Sequence, residues 1–182
     1  LLPPADVAAQ GPITQAAAKA AMEFPPDIPQ FNFVADGVAT SQQPFPEGFA
    51  WLKQHGYRHV VQVKAPGEDN SAVRQAVERQ GLSYAAIEVD AATLDRALVK
   101  AFAERLGDKT LRPMLVFDRR GTLAGALWFL HFRLNERLPN DVALARAQRL
   151  GWPSEFSVED QPLKEAVERL LAASVGEELP KG

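Results

Sequence analysis

Residues 111–134 read LRPMLVFDRRGTLAGALWFLHFRL, and they decide the fold. Met114, Leu115, Val116 and Phe117 form a short apolar run behind Pro113, the pattern of a buried strand. Asp118 to Thr122 is a charged turn around Gly121. From Leu123 to Leu134 apolar residues are nearly continuous, as in a helix buried on most sides. Strand, tight turn and helix start, in that order, form a geometry that receives anions. Turn N–H groups converge there, and the helix dipole adds partial positive charge.

Working outward, the chain alternates strands and helices. Residues 31–43 (FNFVADGVATSQQ) predict a hairpin, with Asp36-Gly37 as its turn. Pro46 opens a helix that buries Phe49 and Leu52, and Gly56 ends it. Residues 57–64 predict the next strand, with Val60, Val61 and Val63 inside. A helix over 71–80 follows, capped by Asn70 or Asp69, then a strand over 82–89. Residues 93–106 predict an amphipathic helix with Leu94, Leu98, Phe102 and Leu106 at helical spacing. Residues 139–150 and 160–173 predict two closing helices. The alternation implies an α/β domain with a central, mostly parallel sheet flanked by helices. Residues 1–30 are rich in Ala and Pro and read as a lead-in, with a short helix over 13–22. Residues 31–182 read as one domain.

Composition limits what such a domain does. There are 20 Lys and Arg against 23 Asp and Glu, a net charge of −3, which gives no bulk attraction for nucleic acid or an anionic membrane. The longest apolar helix is broken by His131 and Arg133, so no membrane span is expected. There are no cysteines, which excludes disulfides, thiolate metal sites and any cysteine nucleophile in this chain. The first residue is Leu1 rather than Met. A removed signal peptide and a trimmed start both fit. Exported or periplasmic and cytoplasmic locations stay open, with a lean to exported.

The stretch VFDRRGTLAGALW resembles the signature of cysteine-dependent phosphatases of the dual-specificity type. Those have a strand ending in His-Cys, a Gly three residues after the Cys, an Arg, and then a helix that often begins Thr-Gly. Phe117 stands where the His would be and Asp118 where the nucleophile would be. Gly121 is in place. The Arg would fall at Leu123 or Ala124, depending on loop spacing, and Gly125 favours Leu123. Thr40 to Pro44 (TSQQP) is similar to the Ser-Gly-Gln-Pro of bacterial relatives. The strand ending Gln62-Val63-Lys64 stands where they have Asn-Leu-Arg. The likeness runs from Phe31 to Trp152 and implies the dual-specificity-phosphatase fold.

The resemblance also implies a site. Its degenerate loop is Asp118, Arg119, Arg120, Gly121, Thr122 and Leu123, and Asp90 stands at the position of the general acid. By itself Asp90 reads as a turn or helix-start residue. Arg119 and Arg120 read as partners of Asp118 or of other carboxylates. His131, between Trp128, Phe129 and Phe132, reads as a core histidine, and His55 and His59 share no face across Gly56. A carboxylate in place of the thiolate repels a phosphate dianion, and the Arg fork is missing. The expectation is therefore a pseudophosphatase acting as a binding or regulatory module: no enzyme, no cofactor, no metal, and an unknown protein or small anionic ligand as partner. The alternatives are a metal-assisted hydrolase using Asp118 and a structural domain whose pocket has collapsed. The loop is expected to keep its shape, with the N–H groups of 119–123 facing the Asp118 carboxylate.

Overall fold

The computed structural model describes residues 24–177. Strands β1 (Asn32–Ala35) and β2 (Val38–Gln42) form the hairpin, turning at Gly37 with φ 69°. They are followed by α1 (Pro46–Gln54), β3 (His59–Lys64), α2 (Ser71–Arg79) and β4 (Ser83–Glu88). Next come α3 (Arg96–Gly107), a 3-10 turn (Lys109–Leu111), β5 (Met114–Asp118), α4 (Thr122–Leu134), α5 (Asn140–Arg149) and α6 (Gln161–Glu177).

The sheet runs β1-β2-β5-β3-β4. Every pairing is parallel except that of β1 with β2. The expected α/β class with a mostly parallel sheet is thus what the chain adopts. β5 is central, paired with β2 on one side and β3 on the other, and all five of its residues are buried. In such sheets ligands sit beyond the strands' carboxyl ends. That is where Asp118 lies.

Helices pack on both faces. On one, Phe49 and Leu52 of α1 and Val77 of α2 cover Val60, Leu115 and Phe117. On the other, α3, α4, α5 and α6 build the larger core over Val61, Val63, Met114 and Val116. Helix α4 is its axis, with nine of thirteen residues buried. Trp128 on α4 donates its indole N–H to Thr40 Oγ1 at 3.1 Å, and Thr40 in turn donates to the Val116 carbonyl at 2.9 Å. A buried polar pair thus pins helix, β2 and β5 together.

The lead-in and its helix over 13–22 lie outside the described residues, apart from 24–30. One helix starts well after its expected position. Helix α3 starts at Arg96 rather than at 93, because Asp95 is its cap and accepts the Leu98 N–H at 2.7 Å. Thr93 is instead bound into the turn made by Asp90. Helix α2 is preceded by Asn70, whose side chain makes no cap bond and donates to Tyr84 Oη at 2.8 Å. Asp69 takes the Ser71 N–H at 2.9 Å. Among the described residues, no helix is long and apolar enough to cross a membrane.

Candidate active site at the end of the central strand

The turn after β5 is held from three directions. Gly121 adopts φ 93°, a left-handed conformation costly for any side chain, and serves as the cap residue of α4. Gln42, at the end of β2, donates to the Arg120 carbonyl at 3.0 Å. Gly151, just past α5, lies so close that an added Cβ would stand 2.5 Å from the Gly121 oxygen. The β2 end that resembles Ser-Gly-Gln-Pro therefore braces the turn through its glutamine.

Asp118 lies under this turn, 2% exposed. Its Oδ2 accepts the Leu123 N–H at 2.9 Å. Its Oδ1 is buried and has no hydrogen-bond partner. Burial pushes the carboxyl up to about 7. The amides of Leu123, Gly121 and Ala124, and then the Arg120 charge, pull the other way without prevailing. The amides that act on the carboxyl are thus at 121, 123 and 124, rather than spread over 119–123 as expected.

Above Asp118 is an open cleft of about 450 Å³. Ala65 and Glu68 form one side, Val89 to Ala92 another, the turn a third, and Glu159 to Leu163 before and into α6 the fourth. The pocket has not collapsed. Arg119 and Arg120 reach this cleft, but neither pairs with Asp118. Arg120 donates to Asp160 Oδ1 at 2.7 Å and stands 3.9 Å from Glu159, while Arg119 is exposed. Thr122 and Leu123 also line the cleft.

Asp90 lines the cleft as its position implied, and it is also a turn residue. Its Oδ1 accepts from Ala92 N, Thr93 N and Thr93 Oγ1. These bonds hold its carboxyl below the usual carboxylate range. His131 is in the core, 3.5 Å from Glu136, and burial depresses its basicity. His55 stacks on Trp51 at 3.7 Å, away from His59 on β3. Among the described residues, no three His, Asp or Glu side chains are grouped to hold a metal ion.

Sequence reading missed Glu68, Glu159 and Asp160 as cleft residues. It also missed Lys64, buried at the end of β3, which donates to Glu88 Oε1 at 2.7 Å and to the carbonyls of Glu68 at 3.1 Å and Ala65 at 3.3 Å. That ammonium fixes the rim over 65–68. The only signal for it was a basic residue closing a strand built on Val60, Val61 and Val63.

No protein-family model matches the chain. Two curated proteins, described as beta-lactamase hydrolase-like and from Xylella fastidiosa strains Temecula1 and 9a5c, are each 27% identical over 124 residues, 65% of this chain. The chain spans 28% of their length. Among solved structures, Pseudomonas aeruginosa TpbA matches with TM-score 0.61 at 17% identity, over 84% of this chain and 94% of its own. The core catalytic domain of the PP-IP phosphatase Siw14 from Saccharomyces cerevisiae, in complex with citrate, matches with TM-score 0.60 at 19% identity, over 84% and 97%. Tk-PTP in its active form matches with TM-score 0.57 at 17% identity, over 79% and 97%.

The fold is that of the cysteine-phosphatase-like proteins. This corrects the expectation of a non-enzyme. The chain shares its architecture with the catalytic core of a phosphatase and with a phosphatase-fold protein solved in its active form. The absence of Cys and of an Arg at Leu123 or Ala124 excludes the thiolate route and by itself does not show inactivity.

Proposed function

We propose that the protein is an enzyme of the phosphatase fold that replaces thiolate chemistry with carboxyl acid–base chemistry. Its reacting group is Asp118, and its substrate is a small polar molecule held in the cleft formed by residues 65–68, 89–92, 118–123 and 159–163. The observation that carries this reading is the place of Asp118: buried, with one oxygen unpartnered, in a residue that lines an open cleft, where burial pushes its carboxyl up to about 7. A group with that pKa gives and takes a proton at neutral pH, which suits general acid–base work. An ordinary exposed aspartate stays ionised and does neither.

The turn holds the carboxyl through Oδ2, which accepts the Leu123 N–H, and a proton moves to or from the carboxyl once the turn or the side chain yields to admit the substrate. Arg120, tied to Asp160, positions the turn against the start of α6 rather than gripping a ligand. Residues 31–182 act as one unit in this reading, with 1–30 as a lead-in.

The test pairs a titration with a turnover screen. The Asp118 carboxyl is followed by NMR between pH 4 and 9. Hydrolysis of aryl phosphates, carboxylic esters and phosphoramidates is measured with and without Mg²⁺. We expect a carboxyl midpoint near 7. We also expect at least one substrate class whose turnover falls about 100-fold or more in Asp118→Asn, in line with loss of a general acid or base. An Asp118 midpoint near 4, or turnover unchanged by the substitution, overturns the reading.

A further inference from the structure

The sheet order leaves β1 as an outer strand. Among the described residues it pairs with β2 on one side and with no strand on the other. An outer strand presents main-chain N–H and C=O groups without ladder partners, and proteins commonly shield such an edge with charge or proline. β1 reads Asn-Phe-Val-Ala and carries neither. Its register shifts between Phe33 and Ala35, so the regular stretch is confined to Asn32–Val34. Beside that same stretch is a cavity of about 230 Å³. Asn32, Phe33 and Val34 form one wall, and Arg146, Arg149 and Leu150 from the end of α5 form the other.

The α5 wall is cationic. Positions 146, 149 and 150 are three and four apart, so they share a helix face. Arg146 is fixed in place: it donates to Glu136 Oε2 at 2.8 Å, and its guanidinium lies 4.1 Å from the centre of the Phe132 ring. Arg149 is exposed, and its bond runs back along its own helix, from Nε to the Ala145 carbonyl at 3.5 Å. Its terminal nitrogens are left to the groove. Among the described residues, no aspartate or glutamate lines the cavity.

We infer that this groove docks an extended acidic segment of a protein partner. The segment adds as a strand along Asn32–Val34, its main chain pairing with the outer edge. A carboxylate side chain reaches the Arg149 guanidinium, and apolar side chains rest on Phe33, Val34 and Leu150. The edge supplies main-chain bonds that any sequence can use, the cavity admits side chains on one face, and Arg149 sets the sign of the charge. A second copy of this chain, adding through its own β1, offers Arg149 no carboxylate, because β1 holds none. None of the groove residues lines the cleft above Asp118, so the groove is independent of the acid–base site.

The experiment uses the full chain and three end-blocked octapeptides: alternating Glu and Val, alternating Lys and Val, and the Glu–Val peptide with N-methylated backbone amides. Amide signals of Phe33 and Val34 locate the binding, and calorimetry gives the affinity. The Glu–Val peptide should bind with a Kd below about 1 mM, and the other two at least about tenfold more weakly. Arg149→Glu, at an exposed position, should weaken the Glu–Val peptide about tenfold or more and favour the Lys–Val peptide, with the Tm nearly unchanged. No binding of the Glu–Val peptide at millimolar concentration overturns the inference. So does equal binding of the Glu–Val and Lys–Val peptides, or of the N-methylated form. Shifts at Gly121 and Leu123 in place of Phe33 and Val34 overturn it by moving the peptide to the cleft. Concentration-dependent self-association in sedimentation that Arg149→Glu abolishes overturns it in favour of a second copy.

Discussion

Asp118 and Gly125 stand seven positions apart on one strand–turn–helix unit, and their surroundings are opposites. Around Gly125 nothing is left over. Its α-carbon faces the backbone at the end of α5, where an added Cβ would clash with Trp152 N and lie 2.7 Å from the Gly151 carbonyl carbon. Trp152 closes this seam, stacked on Phe129 at 6.1 Å and edge-on to Phe156 at 4.8 Å. Around Asp118 one oxygen is left over, and the space above it is open. The seam is fitted to itself; the floor is not. The difference separates a glycine that serves packing from an acid whose burial packing alone does not explain.

The sharpest way to break this contrast is Gly125→Ala. Its methyl would meet backbone rather than a yielding side chain, so relief requires α4 and the end of α5 to separate. We expect a loss of about 3 kcal/mol or more in urea unfolding. A loss below about 1 kcal/mol would show the seam to be loose.

Asp118→Asn should act in the opposite direction, and only at high pH. The folded-state pKa of Asp118 lies above the usual carboxylate range. The fold therefore holds a proton that the unfolded chain releases. The stability tied to that proton is complete in acid and is lost as pH rises to about 7. Asparagine never ionises. At pH 8 the variant should be more stable by about 2–4 kcal/mol, and at pH 4 nearly equal to the parent. Thermal unfolding at the two pH values checks this, and a gain of equal size at both would break it.

The smallest effect belongs to the rim. Asp160→Ala removes the acceptor of Arg120 and of the Ser157 hydroxyl. Arg120 is half-exposed, so solvent screens much of the pair, and we expect a loss of about 1 kcal/mol. The turn should stay in place because Gln42 and Gly151 still hold it. A change in the Leu123 amide signal as large as that in Asp118→Asn would mean that Arg120 supports the floor after all.

The fold was legible because each of its devices leaves a local trace. The apolar run 114–117, the Asp36-Gly37 turn and the spacing of Leu98, Phe102 and Leu106 each specify an element without knowledge of its neighbours. Gly125 was legible as a family feature, but its packing role was not. It looked like a marker of the register of a lost arginine, whereas its structural work is the contact with Gly151 and Trp152. The site was half legible. Asp118, Arg119, Arg120, Thr122, Leu123 and Asp90 do line one cleft, while Gly121 does not. Glu68, Glu159 and Asp160 reach it through long-range closure of the chain, and nothing local to those residues announces it. Nor does sequence show that a carboxyl will be buried far enough to titrate near neutrality. That depends on what covers it, here the turn itself and the start of α4. Reading the missing Cys and Arg as missing function treated one mechanism as if it were the whole capacity of the fold.

The contact between Gly121 and Gly151 has one more consequence. The turn over Asp118 has no hinge of its own, since its backbone rests directly on the backbone that ends α5. Its conformational entropy is surrendered when the protein folds, not when a ligand arrives. The turn thus takes its shape before any binding, and any ordering that accompanies binding would fall on the facing rims, where side chains such as Glu159 are still free to choose a rotamer.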